Sequence, residues 1–235
     1  MYDYFNSLSL PSIVLHCFLA NVGMFLLAIL VFKIFHYFHD QFRNPIEKHP
    51  VSREDIAWAI VSVISNTLIL IPGWYLWKNG TIVIVEDSLL RTIVMFLLMV
   101  LSIDLLMYIF HRIAHFKIVY KIIHNLHHNH EKLNAISLYV LNPIEALSFG
   151  IFIIIFMMLI DISLNTLLCF LVFNLVWGIM GHLGLRFTTK NGRDNFVTNI
   201  VTNSFFHETH HIDQDYNFGF YTRIWDRIFK TEKSN

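Results

Sequence analysis

Charge is scarce in this sequence. Asp, Glu, Lys and Arg make up only 14% of its 235 residues, against 55% hydrophobic, and the mean hydropathy is +0.54. Soluble domains carry about 25% charged residues, so that class is excluded. The charges present cancel, and no global basic field points to nucleic acid. Cysteine is nearly absent: Cys17 and Cys169 both lie in apolar segments, which excludes a disulfide framework and a thiolate metal site. Also missing are a CxxCH haem attachment, a set of iron–sulfur cysteines and a GxGxxG dinucleotide fingerprint. No repeat, low-complexity tract or linker divides the chain, so a single domain is expected over residues 1–235. The opening MYDYFNSLSLPS lacks the basic stretch that precedes the core of a cleavable signal, so the first apolar run is expected to be retained.

What the chain has instead is apolar runs. A bilayer crossing takes roughly 20 residues, and residues 11–38, 56–77 and 89–110 each suffice. The run 146–180 is too long for one crossing and carries Asp161, Ser163 and Asn165 near its middle. A hairpin of two shorter helices with a polar turn is expected there; one long tilted helix would bury Asp161 at a cost. Lys and Arg collect on the cytoplasmic side. Arg43, Lys48 and Arg53 follow the first run, Lys78 follows the second, and Arg112, Lys117, Lys121 and Lys132 follow the third. The tail adds Arg186, Lys190, Arg193, Arg223, Arg227, Lys230 and Lys233. The expected fold is all-α: a multi-span integral membrane helix bundle, its amino terminus outside, with a histidine-rich helical cap in the cytoplasm.

Nine of the 14 histidines carry the chemistry. His111 and His115 stand in HRIAH, His124, His127 and His128 in HNLHH, His207, His210 and His211 in HETHH, and His182 alone in GHLGL between Gly181 and Gly184. At about 100° per residue, positions i, i+3 and i+4 share one side of a helix, so each cluster is expected to present its rings to a common point. A closed zinc site takes about four ligands; nine imidazoles imply two metal ions, and imidazole suits zinc, copper, iron and nickel alike. His130 lies about 240° from His124 on a continuous helix and is left out. His16, His36, His39 and His49 are read as interfacial or core residues.

Ligating imidazoles hand their second N–H to a carboxylate or carbonyl. Asp104, two helical turns before His111, and Glu145 are the candidates for that role, with Glu208, Asp213 and Asp215 weaker. Phe149, Phe152, Phe156, Phe170 and Phe173 are candidates to line a lipid passage, though each is more simply packing. Trp225 and Arg227 read as headgroup anchors, and Asp226 as the cap of a turn or the partner of a base.

Taken together, the lead-in from Asp104 and Tyr108 into HRIAH, then HNLHH, NPIEA at 142–146, GHLGL, HETHH and the ending NFG with WDRIFKT resemble the fatty acid hydroxylase and sterol desaturase superfamily. The wording is most similar to its C4-methylsterol oxidase and fatty acid hydroxylase branches. The resemblance runs over 104–231, with Asn142 where many relatives have histidine. It implies a membrane-bound non-haem di-iron enzyme that hydroxylates an unactivated C–H bond of a fatty acyl or sterol-like lipid. Two Fe ions would sit on the boxed histidines, with zinc as a substitute in purified protein, and dioxygen would be the co-substrate. Electrons would come from an external reductase, ferredoxin or b-type cytochrome, since the chain has no redox motif of its own. Desaturation or carotenoid hydroxylation is the neighbouring outcome. A membrane metal carrier is the non-enzymatic alternative, disfavoured because the boxes lie at or beyond the ends of the runs.

Overall fold

The computed structural model describes residues 7–42, 50–130, 134–182 and 200–233, the side chains of 39–42 excepted. The side chain of His39, and Arg43, Lys48, His49, Lys132, Gly184, Arg186, Lys190 and Arg193, lie outside the described residues. The rest is almost entirely helical. Helices α1 (Leu10–Phe42), α2 (Arg53–Lys78) and α3 (Leu89–Ala114) contain the first three apolar runs. The long fourth run is two helices, α4 (Pro143–Leu159) and α5 (Leu164–Gly181). Four of the five are long and apolar enough to cross a membrane, α4 being the shorter exception at 17 residues.

Side chains with oxygen acceptors start these helices, relieving the unpaired N–H groups of a first turn. Ser52 and Asp55 form a reciprocal capping box on α2; Ser88 caps α3, Asn142 caps α4 just before Pro143, and Ser163 caps α5. The break between α4 and α5 falls at Ile160–Ser163, where Ile162 and Ser163 pair in parallel with Ile84 and Val85 of the α2–α3 connection. This pairing puts both connections at one end of the bundle. The amino end of α2, the carboxyl end of α3, the amino end of α4 and the carboxyl end of α5 therefore share the other end, where the histidines lie.

Packing follows from composition. α1 lies on α2 and α5, α2 on α4, and α3 on α4 and α5. Met99, Ile103, Ile162 and Phe170 are fully buried in the core, while Leu15, Leu19, Leu26, Ile60, Leu68, Leu97 and Leu101 face outward. In water such outward leucines would be costly; in hydrocarbon they are neutral. Phe152, Phe156, Phe170 and Phe173 pack within this core, which is the simpler of the two readings considered for them.

Beyond the bundle, α6 (Ser204–Ile212) carries the third box and α7 (Ile224–Ile228) the tail. The tail is anchored by a carboxylate inside α3. Asp104, with 0% exposure, accepts from Tyr221 N at 2.7 Å, Thr222 N at 3.2 Å, Thr222 Oγ1 at 2.6 Å and Trp225 Nε1 at 3.0 Å. Two expectations change here. Asp104 bonds no imidazole among the described residues and instead ties the tail to the bundle, because its side chain is saturated by four donors from 221–225. Trp225 is held by that same carboxylate rather than serving as a headgroup anchor.

Replacing Asp104 with Ala strands two backbone N–H groups and an indole N–H in the interior, at a cost of at least about 3 kcal/mol. The expected outcome is a melting temperature lowered by roughly 5–10 °C in detergent, with faster tryptic cleavage at Arg227 and Lys230.

Candidate metal centre

Three separate segments deliver the rings. His111 lies in the last turn of α3 and His115 is its C-cap. The chain then turns through Lys117–Val119 into a π-helical turn, Tyr120–His124, before Asn125–Asn129 resumes α-helix with His127 and His128. A π-turn holds one extra residue, which re-aims everything after it. The third segment, α6, is capped by Asn203, whose side chain accepts from Phe206 N at 2.8 Å.

The rings gather into two groups. His111, His115, His124, His128 and His210 have ring nitrogens within 4.8 Å of one another, and so do His127, His207 and His211. The expectation that each box shares one point is therefore corrected: HNLHH and HETHH each divide between the groups. The i,i+4 pairs 111/115, 124/128 and 207/211 stay together, because four residues advance a helix by about 400°, leaving a 40° offset. Neighbours such as His127 and His128, or His210 and His211, point about 100° apart and so serve different groups. His182, the C-cap of α5, borders the second group, with ring centroids 5.9 Å from His127 and 5.6 Å from His207. His130 is apart from both; the helix ends at Asn129 and the ring bonds Ser137 Oγ at 2.7 Å.

Backbone carbonyls and one carboxylate orient the rings. His111 Nδ1 donates to Phe218 O at 2.9 Å, His210 Nδ1 to Tyr216 O at 2.6 Å and His182 Nδ1 to Gly178 O at 2.8 Å, while His124 Nδ1 faces Glu145 Oε1 at 2.6 Å. A nitrogen that faces a carbonyl must carry the proton, which leaves Nε2 of the same ring with a lone pair. With the Glu145 carboxyl ionised, His124 Nδ1 carries the proton too, and the Nε2 atoms of His111 and His124 then stand 3.0 Å apart, lone pair to lone pair. Unless something positive lies between them, that arrangement is repulsive. In the second group His127, His207 and His211 form a triangle of Nε2 atoms with every edge 3.2 Å. Tetrahedral ligands about 2.0–2.1 Å from a metal stand about 3.3 Å apart, so the triangle matches one face of such a site. Among the described residues, the buried Nε2 atoms of His182 and His210 have no hydrogen-bond partner. The donor set thus fits metal ions at both groups.

Electrostatics keep the rings neutral, the form that ligates. Burial pushes His127, His207 and His210 well below the ordinary imidazole value, and repulsion among neighbouring rings adds to it. The same causes bring His211 down to about 4.

The orienting carbonyls are held in turn by Asp226. Its carboxylate accepts from Phe218 N at 2.9 Å, Gly219 N at 2.6 Å and Thr231 Oγ1 at 2.7 Å. Burial raises its pKa to about 6, against the pull of these three donors. Asp226 therefore caps a turn and bonds no base among the described residues. A side chain at Gly219 would collide with the Thr222 carbonyl and stand 2.7 Å from Asp226 Oδ2, which explains glycine there. The roles of Tyr216 and Phe218 have no counterpart in the sequence argument, since a main-chain carbonyl is the same in every residue.

Against the rings lies a chamber of about 100 Å³, lined by Met107, Phe110, Leu138, Leu141, Phe149 and Trp177 together with His111, His124, His127, His182, His207 and Glu145. Of the five phenylalanines considered from sequence, Phe149 reaches it.

A family model described as Fatty acid hydroxylase matches residues 96–231. Among curated proteins, the Delta(7)-sterol 5(6)-desaturase of Leptosphaeria maculans is 30% identical over 53% of this chain and 33% of its own length. That of Candida glabrata is 22% identical over 74% of this chain and 47% of its own. Lathosterol oxidase of Mus musculus is 26% identical over 88% of this chain and 71% of its own. The chain spans less than half the length of those fungal relatives. No solved structure matches at a comparable level. With the match extending from α3 through all three boxes to Thr231, the chain belongs to the fatty acid hydroxylase family.

Proposed function

We propose that this protein oxidises an unactivated C–H bond of a lipid, using dioxygen and electrons from an external donor. Two irons would be held by His111, His115, His124, His128 and His210 in one group and by His127, His207, His211 and His182 in the other. The observation that carries this reading is the convergence of imidazole lone pairs, 3.0–3.3 Å apart, beside an apolar chamber. Bound iron would supply the activation of dioxygen and the removal of hydrogen from carbon, chemistry that no side chain provides. Zinc binds imidazole as readily but cannot change oxidation state.

The chain's own residues do the rest. The carbonyls of Phe218, Tyr216 and Gly178 hold protons at Nδ1 of His111, His210 and His182, and Glu145 holds the one at Nδ1 of His124. Each Nε2 therefore faces the centre without a rotamer search. Met107, Phe110, Leu138 and Phe149 exclude water and admit hydrocarbon. In this reading the chain works as one domain, the centre faces the cytoplasm, and a reductase, ferredoxin or b-type cytochrome docks on that side. A metal carrier has less support, because the rings gather at one end of the bundle instead of following a path through it.

The family resemblance implies hydroxylation, with desaturation as its alternative, and the residues themselves do not separate the two. The names of the sterol desaturases and lathosterol oxidases favour a second outcome, loss of two hydrogens to leave a double bond in a sterol-like lipid. Both begin at the same C–H bond.

Comparing the lipids of cells with and without the protein decides between them: a product gaining one oxygen supports hydroxylation, one losing two hydrogens supports desaturation, and no change in either sense refutes the reading. Anaerobically reconstituted wild type is expected to bind about two irons per chain. His210→Ala and His127→Ala are each expected to lower this to about one, with activity lost in both, as read by elemental analysis. For Glu145→Gln, which keeps the shape but weakens the hold on His124, the expectation is 10- to 100-fold weaker iron binding in a competitive chelator titration.

A further inference from the structure

His130 stands two residues after His128, yet it joins neither group of rings. It is the C-cap of the short helix Asn125–Asn129 that carries His127 and His128, and its backbone N–H bonds His127 O at 3.3 Å. Whatever holds His130 therefore holds the end of the second box.

What holds it is a closed ring of polar groups that reaches to α2. Asp55, in the first turn of α2 and 7% exposed, faces His130 Nδ1 through its Oδ1 at 3.5 Å. A carboxylate facing Nδ1 requires a proton there, so Nε2 of the neutral ring accepts from the Ser137 hydroxyl at 2.7 Å. Ser137 Oγ in turn accepts from Asn134 N at 2.7 Å, and Asn134 Nδ2 donates back to Asp55 Oδ2 at 2.8 Å. The ring closes on the carboxylate where it began. Asp55, Asn134 and Ser137 are all buried, so removing one member leaves its neighbours unsatisfied away from water.

Two parts of the site meet on this ring. On one side is the second box, which gives His128 to one group of imidazoles and His127 to the other. On the other side Ser137 opens the turn Ser137–Tyr139, and Leu138 and Leu141, just along the chain, line the chamber beside the imidazoles. Capping of α2 does not account for Asp55 by itself, because the reciprocal cap with Ser52 uses Oδ2 and leaves Oδ1 for His130. Asp55 also reaches the box from outside residues 96–231, the stretch that the family model matches.

We propose that Asp55 is a positioning residue: through His130, Asn134 and Ser137 it sets where the second box stands relative to the chamber wall of Leu138 and Leu141. The inference rests on the metal reading of the centre for what the box holds.

The test is titration of the full chain in nanodiscs with Co(II), which ranks just above Fe(II) in affinity for such sites. Affinity is read against a competing chelator, and ligand geometry from the visible d–d bands of the bound ion. Asp55→Ala and Asn134→Ala are each expected to weaken cobalt binding 10- to 100-fold and to shift those bands. The double variant should lose no more than the larger single loss, since both substitutions open one ring. Asp55→Asn, which keeps the shape and one acceptor, should retain part of the affinity. Ser52→Ala removes a cap bond of α2 and leaves the ring, so it should lower the melting temperature with cobalt affinity and bands as in wild type. Wild-type cobalt binding in both alanine variants of the ring, or an equal loss in Ser52→Ala, would overturn the proposal; Asn134→Ala decides alone should Asp55→Ala fail to assemble. A wild type that takes up no cobalt sinks the metal reading itself. Cobalt bands that are present in wild type and unmoved in the ring variants sink the positioning role alone.

Discussion

The structure depends on one buried carboxylate. Asp104 stands inside α3, two turns before the first histidine, and takes the backbone N–H groups of Tyr221 and Thr222, the Thr222 hydroxyl and the Trp225 indole. An acidic group at that depth is costly until its acceptor positions are filled, and four donors from one short stretch fill them. The consequence reaches the histidines. With 221–225 fixed, Asp226 falls where it organises Phe218 and Gly219, and the carbonyls of Tyr216 and Phe218 then meet His210 and His111. A helix within the bundle thereby sets the ring orientation of a residue that arrives about a hundred positions later in the chain.

Helical geometry explains how three short boxes build two groups. Residues four apart nearly coincide around a helix, while adjacent ones diverge by about 100°. A single box therefore supplies one i,i+4 pair to one group and a third ring to the other. His127 and His210 are those crossing rings, and each links the two groups through its own helix. The π-turn at Tyr120–His124 contributes by re-aiming the second box relative to His111 and His115. Two groups bound together in this way cannot open independently, because shifting either α6 or the second box disturbs both.

Burial has opposite effects on the two kinds of polar group here. At the rings, desolvation keeps imidazoles neutral at ordinary pH, which favours metal ligation. In the bundle, the same low-polarity surroundings make an unmatched amide costly, and Asn21 and Asn174 are each matched, by the Cys17 carbonyl and by the Tyr221 hydroxyl.

The sequence by itself determined the helical class, the apolar runs, the polar break near Asp161 and the nine histidines, because hydropathy and helical spacing act locally and leave a direct trace in residue order. It also pointed to Glu145, which stands beside His124. Asp104 was legible as an unusual acid within an apolar run, but its partners were not, since they are backbone and side-chain donors 117 and more positions away. The division of HNLHH and HETHH between two groups, the orienting carbonyls of Tyr216 and Phe218, and the one phenylalanine of the five, Phe149, that reaches the chamber were decided by tertiary structure alone. Each depends on which face of one helix meets which face of another, and that is settled by packing among distant segments.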